Sequence, residues 1–548
     1  MTTDKRTINR LVMICERMGL EDIVFSPGSR NAPLVVAFVE SGKFNCLCIP
    51  DERVAAFFAL GISLKTGKTT AICCTSGSAA LNYAPAISEA YYQGVPMLIL
   101  TADRPVEWID KGIGQSIRQN NVYQNYVKAS YQIEQEVQSL DKLLQNDKIY
   151  TQSLQTSQTG FRGPVHINIP LAEPLYNFVD NNAEEVRLNI IAGEAKVISS
   201  DRMDALLKVW QQSKRKIIIL GQHHRDPILQ DRLQALQDNG EVLILTETSS
   251  NVYIENAVQT IDRFITGFSD KAEQYKPDLL ISMGAAVVSK KIKSYFQKYP
   301  PEYHWFVSFD AAKDTYNALT EHIEQKPADF LESLGEGSFN DPAFQSRWLA
   351  GNEALKTKHD AFVSKSSWSD LKVFDFILTR LDGEHILHMG NSTVVRYIQL
   401  FDQSKLLEYH GNRGVSGIDG CSSTAIGYAY KSDKKNFLIT GDIAFYYDSN
   451  AFWHKHYPKY LRIILINNEG GSIFRIIPGP NKTRQLEEFF ETRQEIRANH
   501  LAAHFGIDYL VASSFTELQQ HWPDFADETP GVKILEVCTP REITAHIL

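Results

Sequence analysis

The fold is decided by two stretches in the last third of the chain, FLITGDIA at 437–444 and LRIILINNEGG at 461–471. Each begins with an unbroken apolar run and ends in a polar loop that contains glycine. Unbroken apolar strands are typical of parallel sheets that are covered by helices on both faces. Because ligands of such sheets bind at the carboxyl ends of the strands, we expect the two loops to face one another at a binding site.

The same pattern recurs along the 548 residues. Strands are predicted at 23–25, 46–49, 70–73, 97–101 and 163–171, then at 216–220, 242–246, 279–282 and 305–308, and finally at 386–389, 406–410, 437–440, 463–466 and 533–537. Polar stretches at 172–194 and 332–342 separate the three groups. The sequence therefore predicts an α/β protein of three doubly wound parallel-sheet domains, 1–180, 190–335 and 345–548. We expect the first and last of them to share an architecture.

Composition excludes several classes of function. There are 56 basic and 65 acidic side chains, and the net charge of −9 argues against a nucleic-acid partner, which needs a basic surface. The longest apolar runs, such as 96–100, are too short to cross a bilayer, and the N-terminus shows no secretory signal. The seven cysteines form no CxxC pair. We expect a cytoplasmic protein with no transmembrane segment.

The loops of the opening stretches offer oxygen ligands. Asp442 supplies a carboxylate, Asn468 an amide oxygen, and the turn at Gly470 a backbone carbonyl. Such a set suits magnesium, with manganese as an alternative, and leaves coordination positions for phosphate oxygens. Gly441 lets the backbone approach a phosphate closely. Asp442 alone could equally be a helix N-cap, so the prediction rests on both loops together.

These loops resemble the signature of the thiamine diphosphate enzymes, a Gly-Asp pair followed by an Asn-Asn pair. The resemblance implies thiamine diphosphate and magnesium as cofactors. It also implies a pyrimidine-binding domain at 1–180, a central domain, and a diphosphate-binding domain at 345–548. Many members have glycine after the Asp, whereas this chain has Ile443.

Glu52 lies in CIPDERVAAFFALG (48–61), where a strand gives way to an apolar helix. Alone it could be a cap or a partner of Arg53. The resemblance implies a catalytic role, in which a glutamate of raised pKa lies against N1′ of the aminopyrimidine. It also implies that this glutamate and the diphosphate site come from different subunits. The chain is therefore expected to form a dimer or a dimer of dimers, with active sites at the subunit interface.

Arginines recur in the loops that are expected to face the cleft. They are Arg30, Arg104, Arg118, Arg396 and Arg413. Arginine suits bidentate recognition of carboxylates, so the set favours a polyanionic substrate. Any one of them could instead be an ordinary surface arginine.

The segments SPGSRNAPL (26–34), LTADRP (100–105), GQSIRQ (114–119) and NRGVSGIDG (412–420) resemble one branch of the family, which acts in menaquinone biosynthesis. The resemblance implies decarboxylation of 2-oxoglutarate and 1,4-addition of the resulting succinyl carbanion to isochorismate. Both substrates are dicarboxylates, so the arginines would have carboxylate groups to bind.

The same resemblance implies roles for individual residues. Substrate contacts are expected from Ser29, Arg30, Arg104, Gln115, Lys290, Ser392, Arg396, Arg413, Ile473, Phe474 and Ile477. Cofactor contacts are expected from Glu52, Ser392, Ile418, Gly441, Asp442, Ile443, Ala444, Asn468 and Gly470, with metal ligands among them at Asp442, Asn468 and Gly470. Lys291 and Lys293 compete with Lys290 for the same alignment, and the apolar members could be ordinary core residues.

Two other activities compete with this interpretation. Another thiamine diphosphate lyase, similar to acetohydroxyacid synthase, would act on pyruvate and would not need so many arginines. A nucleotide-binding dehydrogenase would share the α/β class. The chain contains neither GxGxxG after a strand nor GxxxxGK[ST], which weighs against the second alternative.

Overall fold

The computed structural model describes residues 1–135, 137, 139–180, 185–191, 197–267, 272–335, 339–381, 383–477 and 479–543. Within them, the strands form three parallel sheets and one two-stranded antiparallel ribbon. Successive side chains of a strand point to opposite faces of the sheet and pack into different hydrophobic cores. Ile23 packs on one face of the first sheet, for example, and Val24 on the other. The α/β fold with several parallel sheets is confirmed.

The first unit contains a six-stranded sheet. Its elements are β1 (Thr2–Thr3), α1 (Arg6–Arg17), β2 (Asp22–Phe25), α2 (Ala32–Ser41), β3 (Asn45–Cys48), α3 (Glu52–Thr66), β4 (Thr70–Cys74), α4 (Ser78–Asn82), α5 (Ala84–Gln93), β5 (Met97–Asp103), β6 (Ala129–Gln132), α6 (Leu140–Gln158), β7 (Pro164–Pro170) and β8 (Phe178–Val179). The strand order is β3-β2-β4-β5-β7-β6, and β1 pairs with β8 outside this sheet.

The central unit contains a five-stranded sheet in the order β10-β9-β11-β12-β13. Its elements are α7 (Ser200–Gln212), β9 (Lys216–Leu220), α8 (Pro227–Asp238), β10 (Leu243–Leu245), α9 (Ile261–Thr266), β11 (Leu279–Met283), α10 (Lys290–Lys298), β12 (Tyr303–Val307), β13 (Leu319–Ile323) and α11 (Pro327–Ser333).

The last unit repeats the topology of the first. Its elements are α12 (Pro342–Lys365), α13 (Asp370–Leu378), β14 (Ile386–Met389), α14 (Thr393–Ile398), β15 (Glu408–His410), α15 (Cys421–Tyr430), β16 (Asn436–Gly441), α16 (Asp442–Tyr447), β17 (Tyr460–Asn467), α17 (Ile473–Ile476), α18 (Asn499–Phe505), β18 (Asp508–Ala512), α19 (Phe515–Phe525) and β19 (Gly531–Cys538). The order β15-β14-β16-β17-β19-β18 matches the first sheet strand for strand.

Helices α3 and α15 pack the first and last units against each other. A Cβ atom at Gly61 would lie 2.2 Å from the carbonyl oxygen of Thr424, and one at Gly427 would lie 2.0 Å from that of Phe58. Glycine is required at both positions because the two backbones touch. The two units therefore share one core within a single chain.

The polar stretches 172–194 and 332–342 fall partly outside the described residues, and the predicted domain boundaries stay predictions. The start of α12 packs against the central unit, where the ring of Trp348 stacks on Phe264 at 4.7 Å. In the described parts of the chain, no helix combines the length and the apolar character that crossing a membrane requires.

Candidate active site

The two opening loops meet at the carboxyl edge of the last sheet. Strands β16 and β17 are neighbours in register, with Gly441 opposite Ile466. The carboxylate of Asp442, the first residue of α16, accepts a hydrogen bond of 2.8 Å from the backbone N–H of Gly470. Gly470 has φ of +142°, a conformation that other residues rarely adopt. The metal-site residues predicted from the sequence thus lie side by side.

A cavity of about 180 Å³ opens beside these loops. Ten of the residues expected at the site line it: Ser392, Ile418, Gly441, Asp442, Ile443, Ala444, Asn468, Gly470, Ile473 and Phe474. Ile477 follows α17 directly but does not line this cavity. The cavity also has lining residues that sequence reasoning missed, among them Asp370, Asn391, Ser472, Phe490 and Thr492.

The donor set fits a divalent cation. Asp442 is 3% exposed, and no described lysine or arginine forms an ion pair with it. Its burial, together with the negative charges of Asp370 and Glu536, raises the pKa of Asp442 to about 7. A bound cation would compensate this buried charge, and hard oxygen ligands are what magnesium prefers.

Asn468 is oriented by its neighbours. Its amide nitrogen donates to Asp370 Oδ2 at 3.0 Å and to Ser472 Oγ at 3.1 Å. Both hydrogen bonds use the nitrogen, so the amide oxygen is the atom available as a ligand. Asp370 also accepts a hydrogen bond from the Thr539 hydroxyl at 2.5 Å. Asp370 is therefore fixed on one side and fixes Asn468 on the other.

Glu52 begins α3 directly after its N-cap residue Asp51, whose carboxylate accepts from Val54 N–H at 3.1 Å. The side chain of Glu52 is half-buried, and this burial raises its pKa. Glu52 does not line the cavity that Asp442 lines in the same chain. One copy of the chain therefore does not bring these two acids into one cavity.

A second group of predicted residues gathers at the carboxyl edge of the first sheet. Arg30 is buried, and its guanidinium donates to the carbonyl oxygen of Leu171 at 2.9 Å. Burial and the nearby charge of Arg104 lower the pKa of Arg30. Arg104 reaches Gln115 Oε1 at 3.4 Å. Ser29 precedes Arg30 and is exposed.

Both arginines of this group retain capacity for an anion. Among the described residues, the buried Nε atoms of Arg30 and Arg104 have no hydrogen-bond partner. Arg118, by contrast, pairs with Asp110 at 2.8 Å and is 83% exposed. In one copy of the chain, Arg118 is thus already paired with an acid, and its place in the cleft stays a prediction.

A third group lies where the last unit meets the central one. Arg413 donates to Asn391 Oδ1 at 2.5 Å, and Arg396 donates to the carbonyl oxygen of Ser392. Burial lowers the pKa of both guanidinium groups. Asn391 and Ser392 line the 180 Å³ cavity, so these contacts tie both arginines to its wall.

The structure places Lys290 and Lys293 differently. Lys290 is the first residue of α10 and is exposed. Lys293 is half-buried and lines a separate cavity of about 190 Å³ that also touches Gly414. Burial lowers the pKa of Lys293, and the charge of Arg413 contributes. The assignment of Lys290 to substrate stays a prediction. Lys293 shares its cavity with Gly414, the residue that follows Arg413.

This architecture and site define a thiamine pyrophosphate (thiamine diphosphate) enzyme. Residues 6–126 match the protein-family model described as the thiamine pyrophosphate enzyme, N-terminal TPP binding domain. Three relatives carry the name 2-succinyl-5-enolpyruvyl-6-hydroxy-3-cyclohexene-1-carboxylate synthase.

The chain is 40% identical to the relative from Flavobacterium johnsoniae over 97% of this chain and 95% of that protein. It is 38% identical to that from Cytophaga hutchinsonii over 95% and 94%, and 35% identical to that from Porphyromonas gingivalis over 100% and 96%. The chain belongs to the 2-succinyl-5-enolpyruvyl-6-hydroxy-3-cyclohexene-1-carboxylate synthase family.

Proposed function

We propose that this chain joins 2-oxoglutarate to isochorismate, with loss of CO₂, to give 2-succinyl-5-enolpyruvyl-6-hydroxy-3-cyclohexene-1-carboxylate in menaquinone biosynthesis. The observation that carries the proposal is the full-length similarity to synthases of that name. The buried Arg30 and Arg413 and the half-buried Arg104 and Arg396 support it, because both substrates are dicarboxylates. Arg30 already donates to Glu173 Oε1 at 3.2 Å, but several arginines near one site suit two dicarboxylates better than the single carboxylate of pyruvate.

The wall of the 180 Å³ cavity supports a cofactor site. Asp442, Asn468 and Gly470 would bind Mg²⁺ or Mn²⁺ through oxygen atoms. Gly441 has open space where a side chain would stand, and with Ile443, Ala444 and Ser392 it would surround the diphosphate. Ile418 would support the cofactor from its apolar side. When bound, thiamine pyrophosphate supplies a nucleophilic carbon and accepts the electrons released by decarboxylation.

Glu52 would hold a proton at its carboxyl oxygen beside N1′ of the aminopyrimidine. Burial raises the pKa of Glu52, which is the direction that this role requires, because a protonated carboxyl can donate a hydrogen bond. Ile473, Phe474 and Ile477 would keep water away from the reacting atoms. Arg30, Arg104, Gln115, Arg396, Arg413 and Lys290 would orient the substrate carboxylates.

A second copy of the chain would complete the site. In one chain Glu52 is absent from the cavity wall that holds Asp442. Beside Glu52, the guanidinium of Arg53 lies over the ring of Tyr447 at 4.7 Å, and Tyr447 is 53% exposed. An exposed apolar ring beside the proposed catalytic acid suits an interface. We therefore propose a homodimer or a dimer of dimers.

We also propose a cytoplasmic location. All seven cysteines are free, as is usual in a reducing compartment.

The direct test incubates the purified chain with 2-oxoglutarate, isochorismate, thiamine pyrophosphate and magnesium, followed by mass analysis. We expect the succinyl adduct together with CO₂, and no adduct when either substrate is omitted. Consumption of pyruvate, with 2-oxoglutarate left untouched, would replace the proposal with the acetohydroxyacid-synthase-like alternative.

A further inference from the structure

Residues 411–418, here called the Arg413 loop, connect β15 to α15 in the last unit. The loop carries Arg413 near its beginning and Ile418 at its end. Arg413 belongs to the proposed substrate site, and Ile418 lines the 180 Å³ cavity. The conformation of this one loop therefore sets the positions of two groups of the proposed site.

Asn391 fixes the loop from within the last unit. Its amide nitrogen donates to the carbonyl oxygens of Asn412 at 2.8 Å and Gly417 at 2.6 Å. Its amide oxygen accepts from Arg413 at 2.5 Å. Both ends of the loop are thus held by one buried side chain, which leaves the middle, Gly414–Ser416, to be fixed by something else.

A carboxylate from the first unit holds that middle. Glu89 of α5 is 2% exposed. Its Oε1 accepts from the backbone N–H of Gly414 at 2.6 Å, and its Oε2 accepts from that of Val415 at 2.7 Å. Gln93, one turn later on the same helix, donates to the carbonyl oxygen of Gly411 at 2.8 Å and to Glu89 Oε1 at 3.0 Å.

Two features of the loop backbone match this contact with α5. A Cβ atom at Gly414 would lie 2.6 Å from the carbonyl oxygen of Glu89, so the loop and α5 touch at the backbone. Ser416 has φ of +66°, in the left-handed region that non-glycine residues seldom occupy. A buried carboxylate is costly unless it accepts hydrogen bonds, and here the loop N–H groups supply them.

We propose that Glu89 is a positioning residue that holds the Arg413 loop in the conformation that presents Arg413 and Ile418 to the active site. The substrate part of this inference rests on the proposed function, whereas the contact between Glu89 and the loop does not. Both carboxylate oxygens of Glu89 accept from backbone N–H groups. A glutamine would turn an NH₂ group toward one of those donors, so Glu89→Gln breaks the arrangement at nearly constant size.

The first experiment needs no substrate. Hydrogen–deuterium exchange of the full chain is followed by mass spectrometry for wild type, Glu89→Gln and Ser88→Ala. Ser88 is the matched control, because within the described part of the chain its hydroxyl donates only to Pro85 O in α5. We expect amides of the Arg413 loop to exchange at least about tenfold faster in Glu89→Gln and unchanged in Ser88→Ala. Unchanged exchange in Glu89→Gln, or equal acceleration in all three sheets, would overturn the proposal.

If Glu89→Gln folds poorly, Gln93→Ala tests the same contact between α5 and the Arg413 loop with a smaller perturbation. It removes the contact to Gly411 but keeps the carboxylate of Glu89. A smaller acceleration, confined to the Arg413 loop, is expected. Wild-type exchange in that loop would count against the proposal.

The second experiment is a double-mutant cycle on kcat/KM with Glu89→Gln and Arg413→Ala. If Glu89 acts through the loop, Glu89→Gln lowers kcat/KM by about tenfold or more alone and by a clearly smaller factor when Arg413 is already alanine, the remaining effect coming from Ile418. Full multiplication of the two effects would mean that Glu89 acts by another route. A further outcome is that neither wild type nor any variant turns over the proposed substrates while the exchange result still holds. That outcome would refute the proposed function and leave the positioning role of Glu89 standing.

Discussion

The first and last sheets have the same strand order and different chemistry at their carboxyl edges. In the first sheet Arg104 follows β5, and in the last sheet Asn468 follows the matching strand β17. After β3 comes the acid Glu52, whereas after β15 comes the Arg413 loop. The same topology therefore carries two different sets of loops, for which we propose a proton-holding acid in the first sheet and oxygen ligands for a cation in the last. The function depends on the loops and on how the two sheets meet.

The largest expected effect comes from the last sheet. Asp442→Ala removes a buried carboxylate ligand, so cation and cofactor binding should be lost and kcat/KM should fall on the order of a thousandfold or more. Titration with thiamine pyrophosphate and magnesium, read by intrinsic fluorescence, measures this. Asp433→Ala is the control, because Asp433 is exposed. Cofactor affinity within about twofold of wild type in Asp442→Ala would argue against the metal site.

The corresponding change in the first sheet should separate chemistry from binding. Glu52→Gln keeps the shape but cannot hold the proton, so kcat should fall by about 10²–10⁴-fold while cofactor affinity stays within a few-fold. Steady-state kinetics and the same fluorescence titration give both quantities. Glu40→Gln, at an exposed position, is the control. Turnover like that of wild type would remove Glu52 from the mechanism.

A smaller effect is expected from Asp370, which orients Asn468. Asp370→Ala should weaken cation binding by about 10–100-fold and leave kcat close to wild type at saturating metal. Binding of Mn²⁺ followed by electron paramagnetic resonance measures the affinity without turnover. Asp375→Ala on the same helix serves as control, since Asp375 pairs with Lys372 away from the cavity. An unchanged Mn²⁺ affinity would contradict the orienting role.

The smallest effect concerns the stability of the central unit. Burial raises the pKa of Glu247 from 4.5 to about 7. Its contribution to stability is therefore fully present below about pH 4.5 and is lost as the pH rises through 7. Relative to Glu247→Gln, the Tm of wild type should fall across that window. Glu255→Gln, at an exposed position, should track wild type. Parallel Tm curves for wild type and Glu247→Gln would refute this.

The sequence was sufficient for strands that are buried on both faces. It missed the short pair β1 and β8, and it missed β6, β13 and β18, each of which lies at one edge of its sheet. β6 and β13 are only partly buried, so they carry polar residues and no unbroken apolar run. ASYQ at 129–132 and LTEHI at 319–323 show this. The shared architecture of the first and last units was expected, and one outer strand of each sheet, β3 and β15, was predicted, whereas the opposite outer strands β6 and β18 were not.

In the site, too, residues of local motifs could be predicted, and residues placed by long-range packing could not. Asp442 and Asn468 were found because each belongs to a compact motif directly after a strand. Asp370 and Glu89 were missed, because their contacts with Asn468 and Gly414 join parts of the chain far apart in sequence. The choice between Lys290 and Lys293 stays a prediction, because no local pattern tells which side of α10 faces the neighbouring unit. Packing decides these positions, and a single sequence does not contain it.

The central claim is that one active site combines the first unit of one chain with the last unit of another. Coexpression of Glu52→Gln with Asp442→Ala tests it, because a mixed dimer has one site with both changes and one with neither. We predict recovery of about a quarter of wild-type activity, since half of the dimers are mixed and half of their sites are intact. Activity no greater than the sum of the two variants would contradict the claim.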